Sequence, residues 1–201
     1  PASFAPTGSD SEGRRDSGSG TANYTFNVQP VGAPAASPIN IGDTVNGTIG
    51  LGEQDRYSFT LDSNARLHID SLTNNFSIIW PLVGPAGTAA RRTFGGSDSF
   101  DFGNPVLNLG AGDYTLTVDA NGDITGGYSF GLLDFASAVE FTPGTPVSGA
   151  LSPATESDLY RFTASAGDPF YFDVQPGTGN ATWRLIDPFS NILFSLGLTT
   201  D

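Results

Sequence analysis

Residues 45–70 read VNGTIGLGEQDRYSFTLDSNARLHID, and their pattern returns later in the chain. Residues 147–173 read VSGALSPATESDLYRFTASAGDPFYFD. Both segments begin with Val-x-Gly, continue to Asp-x-Tyr-x-Phe-Thr and end on Asp. Because self-similarity at a fixed spacing is typical of tandem modules, we expect two copies of one structural unit.

Within the first copy, apolar and polar residues alternate with the two-residue period of a half-buried β-strand. Tyr57 and Phe59 lie on one face of one predicted strand, and Leu67 and Ile69 lie on one face of the next. His68 falls between Leu67 and Ile69, so the alternation predicts an outward, solvent-exposed histidine.

The repeat extends beyond these segments and keeps rare residue types in phase. The separation from Tyr57 to Trp80 equals that from Tyr160 to Trp183, and the chain has only two Trp. The repeat residues are Asp55, Tyr57, Phe59 and Trp80 in the first copy and Asp158, Tyr160, Phe162 and Trp183 in the second. The period is about 103 residues, so the chain contains more than one module.

This phasing predicts a domain organisation with one complete module. Residues 36–135 form that module, here called the first repeat, and residues 136–201 form the N-terminal part of a following module, the second repeat. Residues 1–35 are interpreted as the C-terminal strand or strands of a preceding module plus a linker.

Tyr24-Thr25-Phe26 matches Tyr128-Ser129-Phe130. We therefore expect residues 1–31 to complete a sandwich with residues 141–201 by strand pairing, within the chain or from a neighbouring copy.

Composition favours an all-β fold. Phe, Tyr, Val, Ile and Thr stand between frequent turn residues, with 26 Gly and 14 Pro among 201 residues. About eight strands per module with frequent turns indicate an antiparallel β-sandwich of jelly-roll or Ig-like type.

Charge and residue types exclude several function classes. The net charge of -13 argues against nucleic-acid and anionic-membrane partners. The chain has no Cys, which excludes disulfides and thiol chemistry, and no apolar run long enough for membrane insertion. There is no Met and no signal peptide, so we expect this to be a piece of a longer protein.

Five short motifs follow one another in the first repeat. They are Val45-x-Gly47-x-Ile49, Asp55-x-Tyr57-x-Phe59-Thr60, Gly84-Pro85-x-Gly87, Leu109-x-x-Gly112-x-Tyr114-Thr115-Leu116-x-Val118 and Gly127-Tyr128-x-Phe130. In this order they resemble the bacterial pre-peptidase C-terminal domain family. The resemblance implies a secreted, non-catalytic β-sandwich, used as an accessory or spacer module beside peptidases or in tandem in surface proteins, sometimes with calcium.

Catalytic residues are hard to assemble from this sequence. His68 is the only histidine, and no Ser-His-Asp or paired-carboxylate constellation stands out. We therefore predict that the chain is not an enzyme.

Calcium is the cofactor that the acidic residues allow. Asp119, Asn121 and Asp123 place oxygen ligands at alternate positions, as a compact calcium loop would, although the same residues suit a hairpin turn. Asp98 and Asp101, with Asp113, form a second candidate if their loops meet. Asp55 and Asp158 are instead expected to hold turns by accepting backbone N–H bonds.

Aromatic and basic residues leave two functions open. Trp80 and Trp183 could stack on sugars, but their apolar neighbours favour core packing. The candidate lining of a polymer-binding groove is Arg91, Arg92 and Phe94.

The leading interpretation is a structural or adhesive module (stalk, filament or spacer) of a large extracellular bacterial protein, with neighbouring copies as partners. The alternative is a module that targets a secreted hydrolase to a polysaccharide or collagen-like polymer.

Overall fold

The computed structural model describes residues 23, 25, 26, 28, 34–98, 103–175 and 179–198. Among these residues the regular structure is β, apart from two short 3-10 turns at Phe94–Gly96 and Phe135–Ser137. In chain order the strands are β1 (Ser37–Pro38), β2 (Thr44–Ile49), β3 (Asp55–Leu61), β4 (Ala65–Ser71), β5 (Ile78–Gly84), β6 (Gly87–Thr93), β7 (Leu107–Leu109), β8 (Gly112–Ala120), β9 (Gly126–Asp134), β10 (Val139–Glu140), β11 (Tyr160–Arg161), β12 (Thr182–Ile186) and β13 (Ile192–Gly197).

Two sheets enclose the core of the first repeat. One sheet has the order β1-β3-β8-β5-β6 and the other has the order β2-β9-β4-β7. All neighbours are antiparallel except β1, which pairs with β3 in parallel. Buried side chains from both sheets form a single hydrophobic cluster. The predicted all-β sandwich is therefore confirmed.

Alternation along the strands selects the residues of this core. In β8 the buried side chains are Tyr114, Leu116 and Val118, while the residues between them are more exposed. Each fully buried Leu, Val or Phe contributes about 1.5–3 kcal/mol relative to an exposed one. The largest fully buried side chain is Trp80 on β5.

The Val-x-Gly motif has a steric cause. Gly47 on β2 lies opposite Tyr128 on β9, and a Cβ atom at Gly47 would lie 2.3 Å from the Tyr128 ring carbon Cζ. Only glycine lets the Tyr128 ring lie flat over this strand.

Tyr128 also connects the two sheets by hydrogen bonds. Its hydroxyl donates to Asp55 Oδ2 at 2.6 Å and lies 2.5 Å from the Tyr57 hydroxyl. Burial, followed by the hydrogen bonds with Asp55 and Tyr57, raises the pKa of Tyr128 above its ordinary value. Asp55 thus accepts a bond from a side chain on the opposite sheet, whereas the sequence predicted that it would accept backbone N–H bonds.

Removal of the Tyr128 hydroxyl is expected to weaken this connection. We expect Tyr128→Phe to lower the free energy of unfolding by about 1.5–3 kcal/mol, because the lost hydrogen bond joins a charged group. Urea unfolding measures the loss. Tyr114→Phe is the matched control, since the Tyr114 hydroxyl donates to a neutral carbonyl, that of Gly110, at 3.0 Å. Its expected cost is about 0.5–1.5 kcal/mol, and equal costs would contradict the role assigned to Asp55.

The described part of the second repeat makes the same strand pairings as its counterpart. β10 pairs with β11 in parallel, as β1 pairs with β3. The register differs by one residue, since Ser37 lies opposite Tyr57 whereas Val139 lies opposite Tyr160. β12 and β13 form an antiparallel hairpin, as β5 and β6 do. The register shift follows Leu82 in one hairpin and Leu185 in the other. These two leucines are equivalent in the sequence repeat.

Aromatic side chains fill the interior of this second segment. Ring centroids lie 5.0–6.3 Å apart along a chain of contacts made by Phe141, Phe162, Phe170, Phe172, Trp183 and Phe194. Phe170 is nevertheless 40% exposed and Tyr160 is 41% exposed. The segment is thus less completely covered than the first repeat.

The proposed module boundaries at residues 36 and 135 stay a prediction, although Ala33–Asp201 cluster as one compact unit. Most of residues 1–31 lie outside the described residues, so their pairing with residues 141–201 also stays a prediction.

Candidate metal centre

Strand β4 is buried on both of its faces. Leu67 and Ile69 point into the sandwich core, and they are 0% and 1% exposed. His68 and Asp70 lie on the opposite face, yet each is only 4% exposed. The sequence prediction of a solvent-exposed His68 is therefore wrong.

The second repeat covers part of this outer face. Arg66 on β4 donates from Nε to Ser190 Oγ at 3.0 Å and from Nη2 to the Asp187 carbonyl at 2.9 Å. On the β7 side, Asn104 Nδ2 donates to the Ser190 carbonyl and Ser190 Oγ donates to Asn108 Oδ1, both at 2.7 Å. The turn between β12 and β13 is thus held against the second sheet of the first repeat.

Asp187 gives this turn a defined shape. Its Oδ1 accepts N–H bonds from Phe189 and Asn191 at 2.8 Å, and its Oδ2 accepts one from the Asn191 side chain. These hydrogen bonds lower the pKa of Asp187. An ordered turn can present Ser190 to its partners with little further loss of conformational entropy.

Three side chains meet at this outer face of β4. His68, Asp70 and Asp98 each offer one potential ligand atom, and these atoms all lie within 4.8 Å of one another. Among the described residues, neither ring nitrogen of His68 has a hydrogen-bond partner, and the same is true of Asp70 Oδ1. Most buried polar atoms in proteins are hydrogen-bonded, so three such atoms at one place require an explanation.

Local structure explains how these residues meet. His68 and Asp70 are two apart on a strand, so their side chains leave β4 on the same face. Asp98 follows the 3-10 turn, where Ser97 Oγ donates to the Thr93 carbonyl at 2.7 Å and accepts from Trp80 Nε1 at 2.6 Å. Asp98 Oδ2 then accepts the Ser71 N–H at 2.6 Å, which draws its carboxyl to the end of β4.

Burial sets the protonation of the cluster. Burial, and then the charges of Arg92 and Arg184, lower the pKa of His68 to about 4. Burial raises the pKa of Asp70 to about 7, although the hydrogen bonds from Ser157 act to lower it. Burial also raises the pKa of Asp98 to about 6. At neutral pH the imidazole is thus uncharged, and one ring nitrogen carries a lone pair that can bind a metal.

The calcium loop predicted after β8 is an exposed turn in the structure. Asp119 Oδ2 accepts from Gln54 Nε2 at 2.8 Å, and its Oδ1 accepts the Ala120 N–H. Asn121 and Asp123 are exposed, and Gly122 has a φ of 64°. Within the described ranges, Asp119 and Asp123 join no cluster of three or more potential His, Asp or Glu ligands. Calcium binding at this turn stays untested.

The described residues of the second calcium candidate, Asp98 and Asp113, do not lie together. Asp98 lies with His68 and Asp70, whereas Asp113 accepts from Thr60 Oγ1 at 2.7 Å and is not grouped with Asp98 in the part of the chain that the structure describes. Asp101 lies outside the described residues.

The candidate polymer-binding residues do not form an exposed groove. Phe94 is 1% exposed and packs against Tyr128 and Phe130, so its predicted place at a binding surface is wrong. Arg92 is half-buried, lies 5.6 Å from the centroid of the Trp80 ring and donates to backbone carbonyls. Arg91 is exposed.

Most of the repeat residues have a structural role in packing. Trp80 is 0% exposed and has no face available for a sugar. Trp183 contacts Phe172 and Phe194, and Phe162 lies in the same aromatic cluster. Phe59 stacks on Tyr114 with 5.3 Å between ring centroids. The Tyr160 hydroxyl donates to Asp158, two residues earlier in the chain, at 3.4 Å.

The chain is similar to solved structures. The chain is similar to the pre-peptidase C-terminal domain of a collagenase from Bacillus anthracis, at 21% sequence identity and a TM-score of 0.41. The similarity covers 51% of this chain and 99% of that domain. No protein-family model matches the chain, and no curated protein matches it.

Among the described residues, no helix has the length and apolar character needed to cross a bilayer.

Proposed function

We propose that this chain is a non-catalytic, tandem β-sandwich segment of a large extracellular bacterial protein, with a structural or adhesive role as a stalk, filament or spacer. One observation carries the proposal. The parallel strand pair and the hairpin with its register shift occur in the same order in both segments, the hairpin at equivalent positions and the parallel pair one residue out of phase. Matching strand pairs in the same order are expected of modules that are stacked in series.

The contact between the segments supports a structural role as a spacer. Arg66 binds both the Asp187 carbonyl and Ser190, and Ser190 also contacts Asn104 and Asn108. Several directional hydrogen bonds at one turn fix the orientation of the two segments more firmly than apolar contact alone. A spacer needs such a fixed orientation between consecutive modules.

Strand exchange between copies would explain how such modules join. In the first repeat β9 lies between β2 and β4, and its motif is Tyr128-Ser129-Phe130. The equivalent motif near the start of the chain is Tyr24-Thr25-Phe26. We propose that this segment pairs with the second repeat of a neighbouring copy, by addition of a strand to a sheet edge. The incompletely covered aromatic cluster of the second repeat is the proposed acceptor.

Self-association of the full chain tests this proposal. We expect the molar mass from light scattering to increase with protein concentration, and we expect Phe26→Asp to keep the chain monomeric because a charge cannot enter an apolar core. Leu51→Asp is the matched control, since Leu51 is 71% exposed in a turn of the first repeat. It should associate like the parent chain.

Two results would oppose the pairing. One is a parent chain that stays monomeric at every concentration. The other is an equal loss of association in both variants, which would indicate a general effect of charge. A far-UV circular dichroism spectrum equal to that of the parent verifies that each variant is folded.

The polymer-targeting alternative has less support. It required an aromatic or Arg-lined groove, and Phe94 is buried while Arg92 binds carbonyl groups of its own repeat. Retention of the chain on insoluble polysaccharide or collagen, lost in Arg91→Ala, would favour this alternative over the structural role.

A further inference from the structure

We propose that His68, Asp70 and Asp98 bind a divalent transition-metal ion of the zinc type, at the contact between the two repeats. The three ligand atoms lie within 4.8 Å of one another, so small side-chain rotations would bring all of them to the distance of about 2.0–2.2 Å at which zinc binds nitrogen and oxygen ligands. They come from one strand and from one turn tied to the end of that strand, so the backbone already positions them.

Buried atoms without partners point to a ligand at this place. His68 is 4% exposed, and neither of its ring nitrogens has a hydrogen-bond partner among the described residues. Asp70 Oδ1 is in the same situation. Burial of a polar group without a partner is unfavourable, and a metal ion would bind one ring nitrogen of His68 and Asp70 Oδ1 at once.

The kinds of ligand atom decide which ion fits. One imidazole nitrogen and two carboxylate oxygens match zinc, which takes nitrogen and oxygen ligands in a tetrahedral arrangement and leaves a fourth position for solvent. Calcium requires six to eight oxygen ligands and does not favour imidazole. The site therefore differs in chemistry from the calcium loops that the sequence suggested.

Neighbouring groups from the second repeat enclose the cluster. Hydrogen bonds from Ser157 reach Asp70, and Arg184 Nη1 donates to the Asp98 carbonyl at 3.3 Å. Since both repeats surround the ligands, a bound ion would stabilise their contact. The positive charges of Arg92 and Arg184 oppose a cation, so we expect micromolar rather than nanomolar affinity.

The single histidine provides a direct test on the unmodified chain. His68 is the only histidine, so the ring nitrogen resonances in a nitrogen-15 NMR spectrum belong to it alone. We expect zinc chloride to shift one ring nitrogen strongly, with saturation at about one ion per chain. An equal concentration of calcium chloride should leave both resonances in place. Unchanged ring resonances with zinc would overturn the proposal, and this outcome does not depend on the folding of any variant.

Calorimetric titration with zinc then assigns the carboxylates. Asp98→Asn and Asp70→Asn should each weaken zinc binding at least about tenfold. Asp123→Asn, which changes an exposed carboxylate outside the cluster, should bind zinc like the parent. Equal affinity in all three variants would also overturn the proposal. In the parent chain, zinc at about 100 times its Kd should raise the melting midpoint by about 5–10 °C.

Discussion

Trp80→Ala is expected to lower the free energy of unfolding by about 3–5 kcal/mol, which is the usual cost of removing a large buried aromatic side chain. Trp80 is 0% exposed and lies on β5 in the core of the first repeat. The change also removes the donor that Trp80 Nε1 supplies to Ser97 Oγ at 2.6 Å. We expect the 3-10 turn that carries Asp98 to lose order together with the core.

The equivalent Trp183 provides the matched control for this change. It holds the same position in the second repeat but is only partly buried, and its indole nitrogen has no hydrogen-bond partner among the described residues. Trp183→Ala should therefore cost about 1–2 kcal/mol. Urea unfolding followed by far-UV circular dichroism compares the two variants. Similar losses would mean that the two repeats contribute equally to the cooperative core, contrary to their burial.

Gly47→Ala is expected to destabilise the chain by about 1–3 kcal/mol, because it forces the Tyr128 ring out of its place. The new Cβ would lie 2.3 Å from the Tyr128 hydroxyl oxygen, closer than any real contact of this kind. Movement of the ring also breaks the hydrogen bonds from Tyr128 to Asp55 and Tyr57. The effect combines steric strain with the loss of a connection between the sheets.

Gly127→Ala tests whether the cost arises from Tyr128 or from the strand itself. Gly127 lies on β9, and a Cβ atom there would meet only the Gly47 carbonyl oxygen, at 3.8 Å. Alanine is favoured over glycine within strands, so Gly127→Ala should be neutral or stabilising by up to about 1 kcal/mol.

A double-mutant cycle completes this test. When Tyr128 is first replaced by Leu, the further change Gly47→Ala should cost much less than it does in the parent chain. Additive costs would show that Gly47 is required for a reason other than the Tyr128 ring.

Several parts of the fold were predictable from local sequence. The alternation in β3 and β8 identified their inward faces, because a strand exposes successive side chains to opposite sides. The phase of Trp80 with Trp183 indicated equivalent hairpins, and the buried position of Trp80 followed from its apolar neighbours. Such inferences succeed where one period and one buried face determine the outcome.

The candidate site was predictable only in part. A His-x-Asp sequence in a strand places two potential ligands on one face, and this signal was present in β4. What the sequence did not reveal was the cover over that face, which comes from residues far along the chain, such as Ser157 and Ser190. From the sequence, Asp98 was interpreted as a calcium ligand in a loop. Its place beside His68 and Asp70 could not be predicted, because its hydrogen bond to Ser71 depends on how that loop folds back.

The sequence by itself determined the repeat, the strand pattern and the all-β class, because these depend on spacing and on residue types in local order. Tertiary structure alone decided that β4 is buried on both faces, and that His68, Asp70 and Asp98 lie together. The physical reason is that alternation specifies two faces of a strand, whereas burial of the outer face depends on another segment packing against it.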